Sequence, residues 1–400
     1  MQPKSRWQKG RGFVSMPSGK TLLLQPWSGD IRGLGPSAQM PLGMGTLGES
    51  VSHAASDADF EIIRSWQPGL ESLVLADGCA LGPRALDAAW QAGRKAGQDL
   101  RIELGGQIGS LLKMASLETE GQSLYYLHPG QQGDLQTRLD AATLLTLDPR
   151  ERVLGAMAPG GEELALSDLL VLPVRSWLGL LWGNLLSLPP VLWRELLGSG
   201  PQLIWHLLRA FLRAGPRRIP QGLSQGGSVH PDAIVEASLL MEGASVEAGA
   251  VVRGCILGPG SRVEPLAVVE GSVLGPQAVV QRQAMVKYSV LGPNAAVGGA
   301  MQLGVLGQAS GLKRGSYCMD QKLGDAPVCV PTRSGMAPVP LGMAGVCVGH
   351  GSLVGSGVWV APGRSIPPGV SVVSDRVLSR VQLPETPGPY TVVDGRLESL

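Results

Sequence analysis

The chain has 400 residues, enough for two or three domains that each bury a core of their own. Its 57 glycines, 31 prolines and only 4% aromatic residues argue against a packed α/β enzyme throughout. They suit a solenoid, whose coils turn sharply at each corner around a narrow interior. A formal net charge of +1 with dispersed basic residues gives no case for a nucleic-acid partner.

Residues 1–58 are rich in Gly, Ser and Pro and read as a poorly structured or small β segment, with a hairpin around Gly19. The basic start, Met1 to Gly12, is followed by no apolar stretch, which points to a cytoplasmic protein. The five cysteines, Cys79, Cys255, Cys318, Cys329 and Cys347, show neither CxxC pairs nor zinc spacing and read as reduced thiols.

Residues 59–165 predict an α/β layer. Glu71–Ala76 is a buried strand, Pro83 opens a helix that runs through Ala96, and Leu100–Leu104 is a second strand. Asp77 follows the first strand at its C-terminal end, where open α/β sheets place ligands. Residues 121–163 read as short strands and loops.

Residues 166–220 form a helical connector. Trp177–Leu188 is apolar but falls well short of the roughly 20 residues that cross a bilayer, and it ends at Pro189-Pro190. Val191–Leu212 carries Arg194, Glu195, His206 and Arg209 and is interrupted from Gly198 to Pro201. The segment predicts two or three amphipathic helices, either buried against a neighbouring domain or, through residues 177–212, in peripheral contact with a membrane.

From about Ser228 to Val373 the pattern is that of a left-handed parallel β-helix. Leu240, Leu257, Leu274 and Leu291 repeat every 17 residues, and three of the four are followed by Gly-Pro. A small residue and two aliphatics, then Gly-Pro, is a short strand and a corner. A period of six follows in Val348, Val354, Val360, Ile366 and Val372. The expected units are therefore 17-residue coils over 228–310, an excursion from the coil over 311–345, final coils over 346–375 and a tail over 376–400. The excursion holds Lys313, Arg314, Tyr317, Asp320 and Lys322, and long excursions from rigid scaffolds are where function tends to sit.

A β/α front half, a tryptophan-bearing helical connector and a left-handed β-helix, in that order, resemble the sugar-1-phosphate nucleotidyltransferases with a hexapeptide-repeat tail. That group includes the bifunctional N-acetylglucosamine-1-phosphate uridyltransferase/acetyltransferases. Leu73-Val-Leu-Ala-Asp77 looks like the family's metal-presenting strand, and Ser176-Trp-Leu-Gly-Leu-Leu-Trp-Gly-Asn184 is similar to its connector. Val286 to Asn294 resembles the acetyltransferase segment that leads to the catalytic base, and His350 resembles the histidine-bearing corner of sugar-nucleotide acyltransferases.

The resemblance implies a truncated nucleotidyltransferase-like α/β part, a homotrimer, sugar-phosphate or nucleotide-sugar ligands, and Mg²⁺ or an acyl-CoA as cofactor. Under it Asp77 is a candidate metal ligand, or else a cap for the next turn. His350 is a candidate general base for acyl transfer, since imidazole titrates near neutral pH. Lys313, Arg314, Asp320 and Lys322 are candidate phosphate- or sugar-binding residues, or else a solvated loop. The departures from the family point the other way. No Gly-rich phosphate loop and no βα unit to carry one is evident ahead of Asp77, and Gly299 stands where the acetyltransferase base belongs. The expected function is a ligand-binding or regulatory relative with degenerate active sites. The alternatives are an active acyltransferase through His350 and a trimerisation scaffold.

Overall fold

The computed structural model describes residues 19–374 and the segments 390–393 and 396–399. Within the first range it omits 27–29, 33, 43–44, 77, 107–108, 111, 113–114, 116–123, 149–151, 155–163, 198–222, 225, 323, 325 and 333–334.

The first strand, Lys20–Gln25, pairs in parallel with both Phe60–Ile63 and Ser72–Ala76. The sheet continues through antiparallel Leu124–Leu127 to Leu100–Leu104 and then to parallel Thr143–Leu147. Alternation along the first strand sends Leu22 and Leu24 to one side and Leu23 to the other. On the first side they meet helix Ser50–Asp57 through Val51 and Ala55, and helix Ala85–Ala96 through Leu86, Ala89 and Trp90. On the other side Leu23 and Val74 meet Leu139 of helix Leu135–Ala141. The result is a helix–sheet–helix layer, as the composition of residues 59–165 implies.

Two expectations for this half need correction. A strand, a helix and a strand do precede Ser72, because the apolar run Leu22–Leu24 enters the sheet with a strand on either side, one in from its edge, instead of forming a peripheral hairpin. The other arm of the expected Gly19 hairpin lies outside the described residues. The strands Ser72–Ala76 and Leu100–Leu104 both form, but they are not neighbours. Leu124–Leu127 lies between them, held by Tyr126, whose hydroxyl donates to Glu71 while Arg94 grips the same carboxylate at 2.8 and 2.9 Å.

The connector is one helix, Trp177–Leu197, that runs through Pro189 and Pro190 and does not stop there. Missing amide donors weaken a helix interior. Here tertiary packing outweighs that cost, since Leu188 and Leu192 on either side of the prolines are buried against Leu239, Ile256 and Val273 of the β-helix. Trp177, Leu178, Leu181 and Trp182 are likewise 0–4% exposed. The connector as far as Leu192 therefore spends its apolar surface inside the protein, and residues 198–212 lie outside the described part. No described helix is long and apolar enough to cross a membrane.

Beyond it three parallel sheets of eight, eight and seven short strands wind into a triangular prism, the left-handed β-helix. On the first face Leu240, Leu257, Leu274 and Leu291 are direct register partners and 0–1% exposed, so they form one interior column. Val246, Val263, Val280 and Val297 form the column of the second face, and Val235, Val252, Val269 and Val286 that of the third. The two periods in the sequence are the same geometry. From one face to the next takes six residues in most coils, while the third-to-first corner takes five in the early coils and six between Val360 and Ile366, and one second-to-third corner, from Val297 to Met301, takes four.

The coil does not end at Gly311. Gly311–Leu312 pairs with Ala296–Val297 and Leu353–Val354, and Tyr317–Cys318 pairs with Ala300–Met301 and Trp359–Val360. The excursion begins after Cys318. One shortened coil hid this: Met301 follows Val297 by only four positions, so the 17-residue register breaks while the fold continues. The true excursion holds the hairpin Cys329–Thr332/Gly335–Pro338 and closes at its neck, where Ala344 N donates to Asp320 O at 3.1 Å. Val328, Val330, Val339 and Ala344 join the central core with Trp177 and Trp182.

Candidate functional site

The loop from Pro26 to Glu49 leaves the C-terminal end of the first strand, where an α/β sheet offers its ligand crevice. Its apolar residues Ile31, Leu34, Met40 and Leu47 are 0–2% exposed and pack among the connector's tryptophans and Val290, Val305 and Cys347 of the prism. Its backbone is tied to the start of the connector, with Arg32 N donating to Arg175 O and Trp177 N to Arg32 O, at 3.0 and 3.1 Å. The loop is thus bound to both other parts of the chain.

His350 lies at the corner after the interior Val348, and its ring meets this loop. Nε2 stands 3.0 Å from Ser37 Oγ, and Nδ1 accepts the Gln308 backbone N–H at 2.7 Å. A backbone amide can only donate, so Nδ1 carries the lone pair and Nε2 the proton. Burial holds the His350 pKa below its usual value near 6.5, although a hydrogen bond to the Pro36 carbonyl works the other way. This pattern of partners belongs to the neutral ring, and each nitrogen has a partner within the protein. Gly307 makes the site sterically feasible, since a Cβ there would stand 2.6 Å from His350 N and 2.7 Å from Nδ1.

Gly299 occupies the shortened corner between Val297 and Met301. A Cβ at this position would stand 2.2 Å from the Ser316 carbonyl oxygen and 2.5 Å from its hydroxyl, so the corner holds no functional side chain and has no room for one.

Lys313 and Arg314 are exposed at the corner between the second and third faces, within a coil and not in the excursion. Asp320 and Lys322 follow the third face at a different corner. Burial pushes the Asp320 carboxyl pKa up, and Lys322 Nζ donates to Pro327 O at 2.9 Å. The structure therefore does not gather these four residues at one corner. Asp77 lies outside the described residues. No group of three or more His, Cys, Asp or Glu able to hold a metal occurs among the described residues.

A cavity of about 140 Å³ lies between helix Ser50–Asp57, strand Cys79–Leu81 and the connector. Leu42, Ala80, Leu81, Pro190 and Val191 give it apolar walls, and His53 and Asp57 stand at its polar side. The Ser50 and Ser187 hydroxyls already donate to backbone carbonyls at 2.7–2.9 Å. Among the described residues that line the cavity there is no lysine or arginine.

Sequence reasoning missed Ser37 and its loop. One signal was present. Leu239, Ile256, Val273, Val290 and Val305 precede the inward residues of the first face and point outward, yet all are aliphatic. An apolar residue on the outer side of a coil announces that something covers that face.

Residues 227–311 match the family described as GlmU-like, C-terminal hexapeptide, which covers the early coils and stops before the excursion. A comparison with curated proteins found no match. Among solved structures the chain is similar to a mutant perosamine N-acetyltransferase from Caulobacter crescentus, in complex with CoA and GDP-perosamine. The identity is 15% over 60% of this chain and 96% of that one, with a TM-score of 0.20. It is also similar to the acetyltransferase domain of PglB from Neisseria gonorrhoeae, in complex with acetyl coenzyme A, at 13% identity over 60% and 98%, with a TM-score of 0.12. Scores this low carry no argument about what the chain does.

Proposed function

We propose that this chain is a non-catalytic, ligand-binding or regulatory relative of the hexapeptide-repeat sugar-nucleotide acyltransferases. The observation that carries the reading is the contact between Ser37 and His350. The loop that would have to cradle phosphates supplies the hydroxyl that occupies the imidazole acyl transfer would need free. A general base must present a lone pair to the proton it removes, and the one on Nδ1 is taken by Gln308. The shortened Gly298-Gly299 corner supports the same reading. On it, Lys313 and Arg314 remain the cations best placed to meet an anionic sugar phosphate or nucleotide sugar, since they are exposed on a rigid coil.

The test combines binding with turnover. Thermal shift with acetyl-CoA, UDP-sugars and sugar phosphates is expected to show a rise for at least one ligand, by mass action on the folded state. Free-thiol release from acetyl-CoA, and pyrophosphate release from the four nucleoside triphosphates with magnesium, are expected to stay at background. Turnover on the order of 10 per second that is abolished by His350→Gln would establish the acyltransferase instead. The same rate abolished by Asp77→Ala would establish nucleotidyl transfer.

A further inference from the structure

One second-to-third corner of the prism is two residues short. In the coil before it Gln281 to Met285 join Val280 to Val286, and in the coil after it Lys313 to Tyr317 join Leu312 to Cys318. Between them only Gly298, Gly299 and Ala300 join Val297 to Met301. The ladder continues on both flanking faces. Gln281 N donates to Val297 O and Gly298 N to Leu312 O at 2.8 and 2.7 Å, and Met285 N to Gly299 O and Ala300 N to Ser316 O at 3.1 and 3.0 Å. The coils therefore keep their ordinary spacing while this one corner recedes, leaving a notch in the ridge. Its floor is the buried pair Gly298 and Gly299, where a Cβ would collide with Gln281 Oε1 and the Ser316 carbonyl.

Counted from the interior residue, Arg282 and Arg314 hold the same corner position, one coil to either side of the notch. Two coil spacings, about 10 Å, separate them, a span that two arginine side chains can close around a phosphate. Arg282, Lys313 and Arg314 are exposed, and their side chains make no hydrogen bond or ion pair among the described residues. Glu264, in the coil before Arg282, is already engaged by the Arg282 backbone N–H at 3.0 Å and by Arg262 at 3.5 Å. Glu247 lies one coil farther off, and the coil beyond Arg314 turns as uncharged Gly355-Ser356-Gly357. A second feature stands beside the notch. Ala300, Tyr317 and Trp359 are register partners on the outer side of the third face. The rings of Tyr317 and Trp359 are 6.0 Å apart, tilted by 56°, and 36% and 71% exposed. Tyr317 follows Arg314 by three positions, about 10 Å of strand. That is the separation between the phosphates and the base of an extended nucleotide.

We infer that the notch and the aromatic pair form one site, which takes a nucleoside diphosphate. The diphosphate lies between Arg282 and Arg314 with Lys313 beside it, and the base lies against Tyr317 and Trp359. The inference rests on the ligand-binding reading above and gives it a place and a chemistry, at a different corner from His350. Guanidinium forks match phosphate oxygens, and an aromatic face stacks on any base. A sugar monophosphate would engage the cations and leave both rings in water.

Titration calorimetry of the full chain at low salt, where phosphate contacts are least screened, uses UDP, ADP and pyrophosphate as probes. At least one of the two nucleotides is expected to bind about tenfold more tightly than pyrophosphate, through stacking. No binding of either up to about 1 mM, or pyrophosphate binding as tightly, overturns the inference. Arg282→Gln and Arg314→Gln are each expected to weaken nucleotide binding about tenfold, and unchanged affinity in both overturns the placement. Trp359→Ala is expected to weaken the nucleotide about tenfold and to leave pyrophosphate unchanged. Two glycines inserted after Gly299 restore the longer corner and are expected to abolish binding, with thermal melts confirming that every variant folds. Arg253→Gln, on the third face away from the notch, is expected to bind as the wild type does, and a loss equal to that of Arg314→Gln overturns the site. Turnover of acetyl-CoA abolished by His350→Gln would remove the non-catalytic reading alone, since the Arg282 and Arg314 variants decide this site by themselves.

Discussion

Ser37 and His350, 313 positions apart, meet at 3.0 Å and join the first loop of the front layer to a late corner of the β-helix. The imidazole is an acceptor toward Gln308 through Nδ1 and a donor through Nε2, so the contact needs the neutral ring. Burial lowers its pKa to preserve that state.

A pH dependence follows. The folded pKa lies below the unfolded value near 6.5, so between the two the unfolded chain binds more protons and stability rises with pH. The contribution is complete above about pH 6.5 and is lost as pH falls toward the folded value. Chemical denaturation at pH 7.5 and 5.5 checks this. The acid-side drop in midpoint is expected to be smaller in His350→Gln than in the wild type, because carboxylate titration is common to both.

The leucine column makes a second prediction. Leu274 is 1% exposed between Leu257 and Leu291, and Leu274→Ala is expected to cost about 2–5 kcal/mol from lost transfer energy and the cavity left behind. Leu266 contrasts with it, being 55% exposed at a corner with φ of 62°. Leu266→Gly removes the left-handed strain of about 1–2 kcal/mol while adding backbone entropy to the unfolded chain. It is expected to stay within about 1 kcal/mol of wild type. Urea midpoints of the two variants test the contrast.

Arg138 is buried with its guanidinium on Asp99 at 2.6 and 2.8 Å and on the His128 carbonyl at 2.6 Å. Replacing one partner strands the other, so Arg138→Met is expected to destabilise the front layer by about 3–5 kcal/mol. Asp99→Asn with Arg138→Met is expected to cost less than the sum of the single changes. An additive double mutant would mean that the two residues are not coupled.

Hydrogen exchange locates the start of the excursion. The amides of Lys313, Tyr317 and Met319 donate to Val354, Val358 and Val360 at 2.8–3.1 Å, and are expected to exchange as slowly as those of the Val348–Val360 coils. Gln321, Lys322 and Gly324 are exposed and are expected to exchange faster. Fast exchange at Tyr317 would return the boundary to Gly311.

The β-helix was legible because stacking makes every coil repeat the demands of the last. An interior slot accepts one aliphatic residue and a corner accepts Gly-Pro, so Leu240 to Leu291 announced both the fold and its register. Where a corner lost two residues, between Val297 and Met301, the spacing failed as a guide although the geometry continued. The helix Ala85–Ala96 was legible for local reasons too: Asp87 in its first turn, Arg94 and Lys95 in its last, and left-handed Gly97 as the stop.

By itself, then, the sequence determined the elements whose signals are local or periodic: the prism's columns, the strands Ser72–Ala76 and Leu100–Leu104, and the helix Ala85–Ala96. Tertiary structure alone decided that Leu124–Leu127 enters the sheet between Ser72–Ala76 and Leu100–Leu104. It also decided that the connector continues through Pro189 and Pro190 once Leu188 and Leu192 are buried, and that Ser37 reaches His350. These contacts join surfaces that share no period, and their energy exists only after the separate parts have docked. No spacing along the chain encodes them.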